Sequence, residues 1–319
     1  DLVRSRGLGD VYKRQELWPY GEGGAAVGAG VIAVRLKVGE ATQIAAHELA
    51  TGRARWRSEV SAVPAQHAPL LPLVIGATAV LDVRHEAAAP RAALFALDSG
   101  ARINDGFVDP GLVVQRAEAL GPGFIIIGAT RAQLVVPDRE GRVMETRGDL
   151  CVDGAGAWGL GRRTLIAFEG RATRELSVTP PPSGSVVACG RRDGQLVFLV
   201  SHPAEQRWEV NVVSRDGGPM TTFGGPGALD ERALMRIRTS GSGPWRGELP
   251  RVVPLIVDDA DGARPMLVDL ETRQIKSLAS PHARWKLAAI ARAGAGHAVL
   301  VGRWIVVLDG EGRVGDPVQ

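Results

Sequence analysis

The sequence predicts an all-β fold built from one repeated unit, and three observations predict it. Short alternating apolar runs recur along the whole chain. Glycine and proline, 41 and 20 in number, are scattered throughout it instead of gathered in linkers, which is the punctuation of many short strands joined by turns. Hydrophobic residues make up 45% of the chain, ample for a continuous core and against disorder. Helical periodicity is thin: only "DERALMRIR" (230–238) offers a turn or two of helix, and it reads equally as an edge strand.

The repeated unit is a short apolar run, an acidic or turn residue, a turn that usually holds glycine, and a second alternating run. It appears at 44–60, 93–105, 132–146, 164–178, 210–223, 265–278 and 304–317. Each copy reads as a β-hairpin, with one face on a core and glycine supplying the positive φ of the turn. Taking Gly52, Gly100, Gly141, Gly170, Gly217, Thr272 and Gly312 as turn positions, the spacings are 48, 41, 29, 47, 55 and 40 residues.

Between the hairpins lie further strand-like runs: "GVIAVRLKV" (30–38), "GFIIIGA" (123–129), "GQLVFLVS" (194–201), "RVVPLIVDD" (251–259) and "GHAVLVG" (296–302). The longest apolar run, 68–83, contains Pro69, Pro72 and Gly76 and reads as two strands around a turn, not as a membrane span. A hairpin plus one or two more strands every ~40–45 residues is the arithmetic of a four-stranded, WD40-like propeller blade. The expected fold is therefore an all-β propeller of about seven blades, with eight as the upper count. A pair of β-sandwiches would explain the strands but not the repeated hairpin. Residues 225–250, which hold "SGSGPWRG", are read as an inter-blade insertion within a single propeller domain, 16–319.

The first fifteen residues stand apart from this pattern. Back-translated with suitable codons, Ser5–Gln15 spells a common transposase sequencing adapter, and Asp1–Arg4 fits the index before it. Residues 1–15 are read as a non-native, adapter-derived tail on a bacterial, metagenomic coding fragment, to be set aside before fold reasoning. On that reading the native N-terminus and any export signal are missing, and the ring is incomplete there if a strand was lost.

Setting the tail aside changes the charge argument. The whole chain carries +3, but residues 16–319 hold 34 basic and 33 acidic residues. The electrostatic footprint of a nucleic-acid binder is absent. Of the 38 basic residues 34 are arginine, which points to a GC-rich genome more than to phosphate recognition.

The candidate chemistry is sparse. Cys151 and Cys189 are the only cysteines, too few for a disulfide scaffold and without metal-ligand spacing. Two buried thiols is the expected state, and one disulfide is the alternative if the chain is exported. "GEGGAAVGAG" (21–30) precedes a strand instead of linking a strand to a helix, so it reads as a flexible entry or outer-strand connection and not as a phosphate loop. "DDADG" (258–262) lacks the spaced oxygen ligands that Ca²⁺ needs and reads as a hairpin turn. The histidines at 47, 67, 85, 202, 282 and 297 show no metal-binding spacing, with His47 read as an outward or inter-blade side chain. No nucleophile motif surrounds Ser185, Ser240 or Ser242. No catalytic, cofactor-binding or metal residue is therefore assigned. Among the seven tryptophans, Trp245 is the candidate for an exposed binding anchor, and the others are read as blade packing.

One repeat carries a specific resemblance. Ala46, Glu48, Thr51, Gly52 and Trp56 in "AHELATGRARW" resemble the pyrroloquinoline-quinone-type propeller repeat, A-x-D-x-x-x-G-x-x-x-W, with Glu48 in place of the usual Asp. The resemblance implies that the acidic residue and Thr-Gly stabilise the turn, and that Trp56 docks between adjacent blades. "LVDLETRQIKSL" keeps Asp269 and Thr272, "VVLDGEGRV" keeps Asp309 and Gly312, and the remaining copies depart further. Such repeats usually bind no quinone, and the chain lacks the vicinal cysteines of the enzymes that do, so no cofactor is expected.

The resemblance extends to bacterial propellers of the outer-membrane-assembly lipoprotein type. It implies a non-catalytic scaffold, periplasmic or otherwise exported, that holds protein partners through inter-blade loops. Two alternatives stand beside it: an enzyme with its active site in the central funnel, and the sensor domain of a larger, truncated chain.

Overall fold

The computed structural model describes residues 16–17, 24–38, 41–61, 73–86, 89–137, 142–229, 245, 247–259, 262–277, 288–293, 296–301, 304–309, 313 and 315. Among them are twenty-nine strands and one short 3-10 turn. The strands form seven sheets that follow one another along the chain, each built mainly as an antiparallel meander.

In the first sheet, β1 (Glu16–Leu17) and β2 (Ala25–Gly28) both pair with β3 (Val31–Val38), followed by β4 (Ala41–Glu48) and β5 (Ala54–Ser61). The second holds β6 (Leu73–Ile75), β7 (Ala79–Glu86), β8 (Ala89–Ala96) and β9 (Arg102–Phe107). The third holds β10 (Val114–Leu120), β11 (Gly123–Gly128), β12 (Arg131–Val135) and β13 (Val143–Glu145). The fourth holds β14 (Cys151–Val152), β15 (Gly156–Leu160), β16 (Thr164–Glu169) and β17 (Ala172–Thr179).

The fifth sheet begins with β18 (Ser185–Arg192), β19 (Gln195–His202) and β20 (Arg207–Ser214). Next in the chain, β21 (Gly218–Pro219) leaves it to pair in parallel with β17, and β22 (Thr221–Pro226) completes it. The sixth comprises β23 (Ala228–Leu229), β24 (Val252–Asp259), β25 (Gly262–Asp269) and β26 (Ile275–Ser277). The seventh has three described strands, β27 (Ala288–Ala293), β28 (Gly296–Val301) and β29 (Trp304–Leu308).

The sequence repeat occupies one place in this plan. Gly52, Gly100, Gly170, Gly217 and Thr272 all lie between the third and fourth strands of their sheets. Gly141 and Gly312 lie outside the described residues. Beyond β29, Asp309 N donates to Arg313 O at 3.2 Å and Gly315 N to Val307 O at 2.8 Å. In the first sheet the turn is built as its residues imply. Thr51 Oγ1 donates to Glu48 Oε2 at 2.6 Å, Gly52 N donates to Glu48 O at 2.8 Å, and Gly52 takes φ +71°.

Two segments differ from the sequence reading. Residues 25–28 are not a loose entry: they form β2, hairpinned to β3 with Val27 opposite Ile32. Within 225–250, residues 225–226 end β22 and Ala228–Leu229 form β23, while 230–244 and 246 lie outside the described residues.

The chain divides into two compact units. The first is Asp1–Glu145 with Gly154–Ala157 and Phe168–Thr173; the second is Thr146–Asp153, Trp158–Ala167 and Arg174–Gln319. Within each, the largest apolar clusters lie between consecutive sheets. In the first unit, Val31, Ile44 and Trp56 pack with Val80, Phe95 and Leu97, and Leu81 and Leu94 pack with Leu112, Phe124 and Ile126. In the second, Leu160 and Leu165 meet Phe198 and Val200, and Trp208 and Leu199 meet Val253 and Leu255. Leu267 packs on Val299, Val306 and Leu308. A sheet buried on both faces explains strands such as β11, buried at every residue, which cannot show simple alternation.

Trp56 is the clearest tie between two sheets. Its indole is 9% exposed, and Nε1 donates to Leu97 O of the second sheet at 2.8 Å. A Cβ on Gly100 would stand 2.6 Å from the indole, so the glycine of the second sheet's turn makes room for the tryptophan of the first. The Trp56→Ala variant is expected to lose about 3–5 kcal/mol of stability. Trp56→Phe, which keeps most of the apolar contact and loses the hydrogen bond, is expected to lose about 1–2 kcal/mol. Urea melts of both variants check the order and the sizes.

Candidate functional site

The most connected polar assembly in the second unit lies between β14 and β18, the first strands of the fourth and fifth sheets. Three contacts share one register, an offset of 38 residues. A parallel bridge joins Gly148 to Val186. Cys151 and Cys189, 2% and 3% exposed, form a disulfide with a Cα separation of 5.0 Å. Arg191 Nη1 donates to Asp153 Oδ2 at 2.6 Å. Residues 151 and 153, like 189 and 191, are two apart and so point to the same side of extended backbone. The expectation of two free thiols is thereby corrected: parallel strands in register bring the pair within bonding distance.

Glycine makes the close approach possible. Gly148 has φ +125°, and a Cβ there would run into the Val186 carbonyl. Arg147 fixes the same seam from the side, with Nε donating to Gly161 O at 2.9 Å and Nη1 to Gly184 O at 3.1 Å. The tetrapeptide Arg147-Gly148-Asp149-Leu150 returns as Arg246-Gly247-Glu248-Leu249. The second copy bridges the other end of β18, Glu248 to Arg191, with Leu249 N donating to Arg191 O at 2.6 Å. This repeat was the sequence signal for the seam, and a search for hairpins alone passes over it.

At the rim of the seam Arg215, from the turn after β20, adds a second cation. Its Nη2 lies 2.8 Å from Asp153 Oδ2, and its guanidinium stands 4.7 Å from the Trp158 ring centroid, a cation–π arrangement. Asp153 is 4% exposed, against 23% for Arg191 and 34% for Arg215. The result is a sealed carboxylate beneath two partly exposed guanidiniums.

The sequence matches no family model and no curated protein. Among solved structures it is similar to BamB from Moraxella catarrhalis, at 15% identity over 92% of this chain and 83% of that one, with a TM-score of 0.43. It is also similar to AztD from Citrobacter koseri, at 11% identity over 93% and 86% of the two chains, with a TM-score of 0.49. The deciding feature is internal: meander follows meander, and within each unit consecutive sheets pack apolar faces together. The fold is a β-propeller.

A second polar group lies within the fifth blade. His202 Nε2 is 3.2 Å from Glu209 Oε2, Arg207 Nη1 donates to Glu209 Oε2 at 2.6 Å, and Asn211 Nδ2 donates to Oε1 at 3.1 Å. Burial raises the Glu209 pKa, but the bonds from Arg207, Asn211 and His202 outweigh it and hold the carboxyl below its ordinary value. A carboxylate so engaged is a cross-strand tie and a poor proton acceptor.

The other residues singled out in the sequence are placed as follows. Trp245 is fully buried, with Nε1 donating to Pro254 O at 2.9 Å; it packs the fifth–sixth junction, and the expected exposed anchor is corrected. His47 is buried, with Nδ1 3.2 Å from Gly52 O, and His297 is fully buried. Of the stretch 258–262, Asp259 ends β24 opposite Gly262 at the start of β25, and residues 260–261 lie outside the described residues. Trp18, His67, Ser240, Ser242, His282 and Trp285 lie outside the described residues. Among the described residues no His, Cys, Asp or Glu cluster fits a metal ion, and no helix is long and apolar enough to cross a membrane.

The sixth blade shows what a turn acid contributes. Asp269 Oδ1 accepts from the backbone N–H of Glu271 and Thr272, each at 3.0 Å, and Arg251 donates to Oδ2 at 3.1 and 3.0 Å. Burial alone would raise its pKa, but these bonds lower it from 3.8 to about 2. The stabilisation is therefore complete above pH 3.8 and is lost as pH falls through about 2. Asp269→Asn is expected to cost about 1–2 kcal/mol at pH 7, allowing for partial solvent screening. At pH 2 the gap should shrink by at least half; denaturant melts at the two pH values check it.

Proposed function

We propose that this propeller is a non-catalytic protein-interaction scaffold that works in an oxidising, extracytoplasmic compartment. The observation that carries the reading is how its reactive groups are employed. The Cys151–Cys189 pair staples β14 to β18. The His202–Glu209–Arg207 group ties neighbouring strands, and Asp269 locks a turn. Chemistry of this kind stiffens a frame, and a stiff frame is what holds recognition loops in place. A buried disulfide also fits a compartment where thiols are oxidised. Within the first unit, Leu49 in the β4–β5 turn and Val113 before β10 are 51% and 75% exposed, and they are the apolar loop residues best placed to touch a partner.

The reading is tested with the immobilised chain and an extract of bacterial envelope proteins. A defined protein should be retained, and retention should fall at least fivefold for the Leu49→Ser, Val113→Ser double variant, with an unchanged melting temperature. Equal retention by the variant removes these loops from the interface. Turnover of an alcohol, sugar or ester by the purified chain would overturn the non-catalytic reading.

A further inference from the structure

The side chains around Asp153 leave a particular set of groups without partners. After Arg191 and Arg215 have both donated to Asp153 Oδ2, at 2.6 and 2.8 Å, three buried N–H groups remain. They are Arg191 Nε, Arg215 Nε and Trp158 Nε1, and none has a hydrogen-bond acceptor. Trp158 is 3% exposed, and its ring lies under the Arg215 guanidinium. Arg191 and Arg215 meet at the Asp153 carboxylate, and Trp158 joins them through the Arg215 guanidinium over its ring. Buried donors left unpaired are costly, so the cluster lacks a hydrogen-bond acceptor.

The charge balance has the same sign. Two guanidiniums, 23% and 34% exposed, face one buried carboxylate, a formal +1 that solvent screens only in part. The adjacent Arg192 does not alter this, because it is engaged elsewhere: Nε is 3.2 Å from Asp193 Oδ2, and Nη1 donates to Leu249 O at 3.4 Å.

We propose that Trp158, Arg191 and Arg215, seated on Asp153, form a binding site for a carboxylate group. A carboxylate brings one negative charge, a plane that matches a guanidinium fork and acceptor oxygens only. A water molecule would bring two further donors into a lining that already has too many. Entry is past Arg215, the more exposed of the two arginines, whose guanidinium lies over the Trp158 ring. The disulfide and the Gly148–Val186 bridge hold the floor of the site rigid. This inference does not depend on the scaffold reading, since a free organic acid and an acidic side chain of a partner present the same group.

The test is a titration of the intact chain with acetate at constant ionic strength, with chloride as the reference salt. It is followed by the indole ¹⁵N–H resonance of Trp158, assigned through Trp158→Phe, and by melting temperature. A saturable displacement of that resonance is expected with acetate and not with chloride. Arg215→Met should weaken acetate binding at least tenfold. Trp158→Phe, which keeps the ring and removes the donor, should weaken it about tenfold, read by melting temperature.

Equal responses to acetate and chloride, or a wild-type response from both variants, would overturn the proposal. Tighter binding of inorganic phosphate than of acetate would overturn its assignment to carboxylate. A second arm compares acetate with a short Glu-containing peptide. Tighter binding of the peptide supports the site and assigns the carboxylate to a polypeptide, and equal binding supports the site and assigns it to a small acid.

Discussion

A four-stranded sheet that is apolar on both faces has no stable existence alone in water, and the need to cover those faces governs this chain. The transfer of apolar surface out of water is worth about 25 cal/mol per Å², which favours stacking each blade on the next. Sequence order then becomes spatial order within each unit, because the nearest available cover for one blade is the blade that follows it. The apolar clusters record this directly, each drawing its residues from two consecutive blades.

Apolar stacking is not directional, so polar contacts set the register. Arg35 and Asp82, 5% and 0% exposed, join the second strands of the first two blades, with Nε donating at 2.9 Å. The parallel alignment of β14 and β18 does the same in the second unit. Such buried pairs add little net stability over an apolar core, and their use lies in specifying which residue faces which. The chain's abundance of arginine acquires a structural meaning here. A planar cation with five donors reaches carbonyls and carboxylates across a seam where lysine would make one contact. Arg147, Arg191 and Arg215 are all used in this way.

The legible part of the fold was the outer half of each blade. In three blades the third and fourth strands are long and joined by a glycine-bearing turn, so β4–β5, β8–β9 and β16–β17 could be read from residues alone. First strands were largely illegible for physical reasons. β14 and β23 are two residues long and β6 is three, while β10 mixes partly exposed and buried positions without alternation. β15, "GAWGL", is wholly buried and short, so periodicity had nothing to register. The seam at Asp153 was hidden for the same reason: its residues are scattered over the first strands and one turn, and only the register gathers them. Trp56 was readable because its repeat is intact, whereas Trp245 in a Gly-rich stretch invited an exposed reading that packing overrules.

The central claim is that the fourth and fifth blades are locked in a defined register at their first strands, and one covalent bond reports it. Proteolysis of protein secreted to an oxidising compartment and alkylated before any reduction, followed by mass spectrometry, should return a cross-linked pair of peptides containing Cys151 and Cys189. Recovery of both cysteines as separate alkylated peptides from the folded protein would contradict the 38-residue register.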